Sequence, residues 1–228
     1  MVRIDSRLWK WPLIATLILA PFLTWIDWSL TSYIYKIGND PVEHFIAHPA
    51  LDFLFDHGTI PATVTASLAG IIVLFSYLFK VLKKYRAAAL TILLTFALGS
   101  GLMVNGVFKE YWGRPRPKQV EEFGGTQAFR PFYSPNLFHQ PQPSKSFPCG
   151  HCAMGFFFFS LAFIGLQMRS KTVTAIGFAL ALILGIALSA TRILQGGHFF
   201  SDTYFSALIM WYTTLAVGWL SYTAERTD

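Results

Sequence analysis

Residues 87–108 read AAALTILLTFALGSGLMVNGVF, an apolar run of 22 residues without a charged side chain. As an α-helix, a run of this length extends about 33 Å, which is enough to cross the hydrocarbon core of a bilayer. The pattern predicts an all-α membrane protein with six transmembrane helices, built as one domain over residues 1–228. The five other apolar runs lie at Trp11–Ile26, Ile60–Phe79, Cys152–Met168, Thr172–Thr191 and Thr203–Thr223.

The composition supports a membrane protein. Hydrophobic residues make up 54% of the 228 residues and charged residues only 13%, against about 25% charged in an average soluble domain. The net charge is +6, but no basic helix or soluble module accompanies it. A membrane surface or an anionic substrate is therefore the expected partner, and nucleic acid is not. Two cysteines, Cys149 and Cys152, are too few for a disulfide scaffold.

The distribution of Lys and Arg predicts how the helices are oriented. Basic residues concentrate before the first run, between the second and third, and between the fourth and fifth, whereas the first connection is mainly acidic. The excess of positive charge in cytoplasmic loops therefore predicts that both termini are cytoplasmic. This topology places the long third connection, about residues 109–151, outside the cell membrane. That connection nevertheless carries six basic and three acidic residues, and anion binding would explain the imbalance.

The first of three polar clusters at the predicted outer side is KEYWGRPRP, residues 109–117. Its prolines favour an extended turn that projects Arg114 and Arg116. The planar fork of Arg suits two phosphate oxygens, and Lys109 adds a point charge. Taken alone, the cluster is also compatible with cations that reach from a helix end to the membrane interface.

The other two clusters add histidines. SFPCGH, residues 146–151, leads into the fourth apolar run, so that an anion could lie at the helix N-terminus beside His151. TRILQGGHFFSD, residues 191–202, separates Arg192 from His198 and Asp202. If the chain is helical from Phe199, the Asp202 carboxylate can hold one imidazole nitrogen as N–H and leave the other free to attack, although a structural His–Asp contact is the alternative. Together the clusters provide what phosphoryl transfer from a monoester requires: cationic clamps, a nucleophile and an acid.

In order and spacing, the clusters resemble the motifs of the type 2 phosphatidic acid phosphatase family of integral-membrane lipid phosphatases. Those motifs read K-x6-R-P, P-S-G-H and S-R-x5-H-x3-D. The resemblance extends from the third apolar run to the sixth. This chain has Lys109-x6-Arg116-Pro117, Pro148-Cys149-Gly150-His151 and Thr191-Arg192-x5-His198-x3-Asp202.

The resemblance implies a helical bundle with its catalytic site at the outer helix ends. It makes His198 the nucleophile that forms a phosphohistidine, Asp202 its orienting partner, and His151 the acid for the leaving group. It implies that the side chains of Lys109, Arg116 and Arg192 bind the phosphate, together with the backbone amide of Gly150. Because the clamps are cationic and no carboxylate cluster accompanies them, we expect catalysis without a metal or another cofactor.

Three positions depart from the family pattern or add to it. Cys149 stands where the family has Ser and offers a weaker side-chain donor to phosphate, although its backbone N–H remains available. Thr191 also replaces Ser but keeps the hydroxyl. Arg114 lies outside the strict motif, and it either contacts phosphate or shapes the loop.

Within the family, four segments are most similar to the bacterial lipid A 4′-phosphatases: residues 105–109, 112–117, 120–125 and 146–150. That similarity implies lipid A as substrate, and a site on the periplasmic face of a bacterial inner membrane. Phosphatidylglycerophosphate and undecaprenyl pyrophosphate phosphatases share the same catalytic residues, and a lipid phosphotransferase would use the same phosphohistidine, so these alternatives stay open. Aromatic and basic residues of the long loop are expected to form the entrance that selects the head group, namely Phe123, Phe129, Arg130, Phe132, Tyr133, Phe138 and His139.

Two other classes of protein are less consistent with the sequence. Cys149-Gly150-His151-Cys152 has the C-G-H-C order of thiol–disulfide oxidoreductases, but here it opens a membrane helix and not a helix of a soluble βαβ unit. A phosphate-binding transporter would hold its polar residues near the bilayer midplane, whereas these lie at one interface. A further hypothesis is that oxidation of the two thiols distorts His151 and lowers phosphatase activity.

Overall fold

The computed structural model describes residues 5–137 and 144–224. Within these ranges the chain is helical, with one isolated β-bridge between Val120 and Gln127, so the all-α prediction is confirmed. Helical turns of the π type occupy Thr95–Phe108, and short 3₁₀ turns occupy Pro117–Gln119 and Glu121–Phe123. The α-helices are α1 (Ser6–Ile37), α2 (Pro49–His57), α3 (Ile60–Phe75), α4 (Lys80–Lys83), α5 (Arg86–Leu94), α6 (Lys109–Tyr111), α7 (Gly150–Phe156), α8 (Phe159–Gln167), α9 (Lys171–Leu194) and α10 (Phe200–Ala224).

Five helical stretches of the described chain are long and apolar enough to cross a membrane. They contain three of the first five predicted apolar runs and overlap the other two, Ile60–Phe79 and Cys152–Met168, which extend past the observed ends. The sixth run lies within the 25-residue helix α10, which is not one of the five, so the count of six spans stays a prediction. The five stretches are Ser6–Ile37, Pro49–Phe75, Arg86–Tyr111, Gly150–Gln167 and Lys171–Leu194.

Helix α1 does not end at Ile26, as the sequence suggested, but continues through Asp27 to Ile37. The reason is that Asp27 is fully buried and forms an ion pair with Arg114, whose Nη2 lies 2.8 Å from its Oδ2. A charged side chain with such a partner is compatible with the interior of a membrane helix. The outward face of α1 is apolar, and its exposed side chains include Trp11, Leu17, Ile18, Phe22 and Trp25.

The centre of the bundle is built from aromatic side chains and close helix contacts. A run of four phenylalanines, Phe156–Phe159, packs with Val104 and Met210. Around this core, Gly155 lies so close to Gly185 that a Cβ at either position would collide with the opposite helix. Small residues permit this kind of backbone approach between membrane helices. The contact holds α7 against α9, the two helices that carry His151 and Arg192.

The long third connection folds back onto the bundle instead of standing open. Two of the aromatic residues expected at an entrance, Phe123 and Phe132, are buried in apolar clusters with residues of α1. Phe129 packs against Trp28, whereas Tyr133 is 66% exposed. The entrance prediction is therefore wrong for the buried aromatic residues, because their rings supply apolar contact between the loop and α1. The other expected entrance residues Phe138 and His139 lie outside the described residues.

Candidate active site

The functional residues predicted from the three clusters meet where several helices end. Lys109 follows the π-helical segment, His151 lies in the first turn of α7, Arg192 in the last turn of α9 and Asp202 in the first turn of α10. At Gly150, a Cβ would approach Lys109 Nζ to 3.3 Å and Asn105 Oδ1 to 2.7 Å. A side chain at position 150 would therefore displace the Asn105 side chain and crowd Lys109, and glycine leaves both in place.

His198 is almost completely buried and is oriented by Asp202. Its Nδ1 lies 3.5 Å from Asp202 Oδ2, at the outer limit of a hydrogen bond, and has no closer hydrogen-bond partner in the described part of the chain. This contact favours the tautomer in which Nδ1 carries the proton, which leaves Nε2 unprotonated. Contacts of this kind are often long before a substrate binds and shorten in the complex.

The surroundings of His198 keep its ring neutral. Burial lowers the pKa of His198 to about 4, with a further contribution from the positive charges of Arg192 and Lys109, while Asp202 acts in the opposite direction. At neutral pH the imidazole is therefore uncharged, and only an uncharged imidazole has a lone pair for nucleophilic attack.

Asp202 is held in place by a buried network of hydrogen bonds. Its Oδ2 accepts from Ser146 Oγ at 2.6 Å and from the amide of Phe199 at 2.9 Å, and its Oδ1 accepts from Arg114 Nη1 at 2.6 Å. Arg114 continues the network to Asp27 of α1. Ser201 closes it, since its amide and hydroxyl donate to Asp27 at 2.8 and 2.6 Å. The carboxylate beside His198 is thus fixed by contacts that reach another membrane helix.

Arg114 differs from the other predicted phosphate ligands. Its side chain is fully buried, and all three guanidinium nitrogens donate to protein oxygens, with Nε bonded to the carbonyl of Arg130 at 2.8 Å. The guanidinium also lies over the ring of Phe199, 4.3 Å from its centroid. Phosphate contact by Arg114 finds no support in this geometry, which instead favours the alternative that it shapes the loop and the site.

The remaining cations, Lys109, Arg116 and Arg192, line the site without such saturation. Burial lowers the pKa of Arg116, and the nearby charge of Asp202 opposes this effect. Arg192 is 7% exposed, its Nη1 donates to Gln195 Oε1 at 2.9 Å, and its Nε has no hydrogen-bond partner in the described chain. A buried donor without a partner is expensive unless a ligand occupies it, so Arg192 is suited to an anion.

Phe55 of α2 is part of this site, although the sequence did not indicate it. Its ring stacks on His151 with centroids 4.7 Å apart and planes at 18°. The guanidinium of Arg192 lies over the same ring, 4.5 Å from its centroid. One aromatic side chain thus positions both the predicted acid and one predicted phosphate ligand.

Cys149 and Cys152 form a disulfide within the first turn of α7. Both residues are fully buried, so neither sulfur is accessible in the way that a thiol–disulfide oxidoreductase requires. Cys149 therefore has no S–H to offer to phosphate. His151 lies between the two cysteines in sequence and is stacked on Phe55 in this oxidised state, and the effect of the disulfide on activity stays a prediction.

Three residues that fix the site were missed by sequence reasoning. Asp27 was interpreted as the end of a membrane helix, although an ionisable residue next to a long apolar run is itself a signal of function. Ser201 carries no such signal, because a hydroxyl in the first turn of a helix is common. Phe55 could be recognised only once the packing of α2 against α9 was known.

Comparison with known proteins agrees with this site. A sequence model of the PAP2 superfamily matches residues 88–226, which include all three polar clusters. The lipid A 4′-phosphatase of Francisella tularensis subsp. novicida (strain U112) is 40% identical over 139 residues, covering 61% of this chain and 60% of that protein. The lipid A 4′-phosphatase of Rhizobium leguminosarum is 36% identical over 137 residues, covering 58% of this chain and 56% of that protein.

The chain thus matches about 60% or less of the length of these relatives. A third relative, the lipid A 4′-phosphatase of Rhizobium etli, is 32% identical over 124 residues, 53% of this chain and 46% of that protein. No solved structure gives a significant match. Since the matched family region covers more than half of the chain and contains every motif residue of the site, this protein belongs to the PAP2 superfamily.

Proposed function

We propose that this protein hydrolyses a lipid phosphate monoester through a phosphohistidine intermediate. One observation carries the proposal: a buried, neutral His198, oriented by Asp202, lies at helix ends shared with His151 and three cationic side chains. A nucleophile, an acid and fixed positive charge are the groups that phosphoryl transfer from an ester requires.

In the first step, Nε2 of His198 attacks phosphorus and the bond from phosphorus to the ester oxygen breaks. His151 donates a proton to the departing alkoxide. Asp202 accepts the hydrogen bond from Nδ1–H and stabilises the positive charge that develops on the ring. Lys109, Arg116 and Arg192 stabilise the negative charge on the phosphoryl oxygens in the transition state.

In the second step, a water molecule gives a proton to His151, and its oxygen attacks phosphorus. The bond from phosphorus to nitrogen breaks, which releases inorganic phosphate and restores neutral His198. Each proton and electron pair is then back where it began, so the cycle requires neither a metal nor a redox cofactor.

We further propose that the substrate is lipid A, attacked at its 4′-phosphate. The support is that the relatives at 32–40% identity carry this activity in their names and that the match to the superfamily spans the motif residues. In a Gram-negative host, the site would face the periplasm from the inner membrane, with both termini in the cytoplasm. The asymmetry of Lys and Arg between the connections supports this orientation.

The test is release of inorganic phosphate by the detergent-purified protein with a chelator present. Lipid A, phosphatidylglycerophosphate, phosphatidic acid and undecaprenyl pyrophosphate are compared, beside a His198→Ala variant that remains folded. Release by the wild type alone, and fastest from lipid A, is the expected result. Release by the variant at the wild-type rate would exclude His198 as nucleophile. Phosphate that moves to a second lipid and not to water would identify a phosphotransferase.

A further inference from the structure

A cavity of about 290 Å³ lies beside the cationic part of the site. Its lining includes three cations, Arg116, Lys118 and Arg192, and three carboxylates, Asp40, Glu43 and Asp52. The three acidic residues belong to the connection after α1 and to α2, outside the region 88–226 that matches the superfamily. The motif residues therefore share a cavity with carboxylates that none of the motifs contains.

The cavity combines unused donors with acceptors. Arg192 is more than nine-tenths buried, and its Nε has no partner among the described residues. Its Nη1 donates to Gln195, and Gln195 Nε2 in turn donates to Asp52 Oδ1 at 3.1 Å. Glu43 Oε1 pairs with Lys118 Nζ at 2.7 Å, and both side chains line the cavity. The cavity thus combines Arg192, a cation with an unpaired donor that an anion would satisfy, with carboxylates that accept hydrogen bonds.

A phosphate alone would satisfy Arg192 but would be repelled by the neighbouring carboxylates. A ligand that fits both the cations and the carboxylates of the cavity has one phosphate and, attached to it, several O–H or N–H donors. Glu43 is compensated by Lys118, but a second phosphate beside the first would meet the charge of Asp52, and like charges at short range are unfavourable. Sugar hydroxyls, amides and amines satisfy carboxylates, as hydrogen bonds to charged acceptors are among the stronger ones.

We propose that this cavity binds the sugar that carries the phosphate, and that Asp52 selects a sugar monophosphate against a pyrophosphate. The proposal rests on the proposed function and deepens it. It assigns selection of the head group to residues near the end of α1 and in α2, while the chemistry stays with the motifs.

The test compares wild type with Asp52→Asn. Asp52→Asn keeps the oxygen that accepts from Gln195 but removes the charge, so Arg192 stays in place. We expect the ratio of kcat/KM for lipid A to kcat/KM for undecaprenyl pyrophosphate to fall about tenfold to a hundredfold in Asp52→Asn, the range for one charged hydrogen bond. The change should appear chiefly in KM. Asp56→Asn is the matched control, because Asp56 is exposed on the same helix and does not line the cavity.

Binding provides a second measurement that does not depend on turnover. In a His198→Ala background, the ratio of the Kd for pyrophosphate to the Kd for glucosamine 4-phosphate should fall when Asp52→Asn is added and stay constant with Asp56→Asn. An unchanged ratio would overturn the proposal. Failure of the proposed function would be seen separately, as no phosphate release from any lipid by the wild type. In that case the binding measurement alone would show whether the cavity prefers the sugar phosphate to pyrophosphate.

Discussion

Removing the charge of Arg114 should destabilise the protein more than removing any exposed cation. Arg114 is fully buried and pairs with Asp27 at 2.8 Å and with Asp202 at 2.6 Å, so Arg114→Met leaves two buried carboxylates without their cation. Breaking a buried ion pair from one side costs about 3–5 kcal/mol. Since a domain is stable by only about 5–15 kcal/mol, the variant should lie close to unfolding under mild conditions.

The assay is reversible unfolding in mixed detergent micelles, followed by tryptophan fluorescence. Lys145→Met is the control, because Lys145 pairs with Glu110 at 2.5 Å while both side chains are about a third or more exposed. An exposed pair contributes at most about 1 kcal/mol. Arg114→Lys should recover part of the lost stability, because an ammonium group retains the charge. It should not recover all of it, because the ammonium lacks the planar guanidinium geometry that lets Arg114 bind both carboxylates.

A double-mutant cycle tests the pairing itself. Asp27→Asn removes one carboxylate charge, so the double variant Asp27→Asn/Arg114→Met should lose at least about 1 kcal/mol less than the two single losses combined. Losses that add to within about 0.5 kcal/mol would refute the idea that the two residues form one unit. So would an Arg114→Met variant as stable as the Lys145→Met control.

Four further predictions concern the chemistry of the site and its dependence on pH. Because the pKa of His198 is lowered to about 4 from an ordinary 6.5, the acid limb of the pH–rate profile should lie near pH 4, and an inflection near 6.5 would contradict a buried neutral nucleophile. Between about pH 6.5 and pH 4, His198 is protonated in the unfolded chain but not in the native chain. The free energy of unfolding should therefore fall as the pH drops through this range. His151→Ala should lower the rate far more for a lipid alkoxide than for p-nitrophenyl phosphate, whose leaving group needs no acid; equal losses would remove His151 from that role. A chelator should leave phosphate release unchanged, and a loss restored by magnesium would show that the cations of Lys109, Arg116 and Arg192 do not suffice.

The sequence predicted the motif residues of the site because their spacing is local. Lys109 and Arg116 are seven residues apart in the first cluster. His198 precedes α10 by two residues and contacts Asp202, four residues further along the chain, in the first turn of that helix. In contrast, the role of Asp27 depends on Arg114, which is 87 residues away along the chain. No local pattern can predict such a contact.

The long connection was harder to interpret for the same reason. Its aromatic residues were expected to line an entrance, yet the ring of Phe123 packs on Trp28 and Tyr35 of α1. Whether a loop aromatic faces solvent or core is decided by the surface that lies beneath it. Here that surface is the C-terminal part of α1, which the sequence did not predict because the helix was expected to end at Ile26.

The position of Phe55 has a consequence for how such proteins diverge. Its ring contacts His151 and Arg192, yet it lies 33 residues before the first residue of the superfamily match. Two members could therefore keep identical motifs and still act on different lipids, because mutations in a separate short stretch of the gene can change what is recognised without touching what reacts. Substrate preference in this lineage would then be inherited apart from catalysis, and exchange of residues 40–57 between members would transfer it.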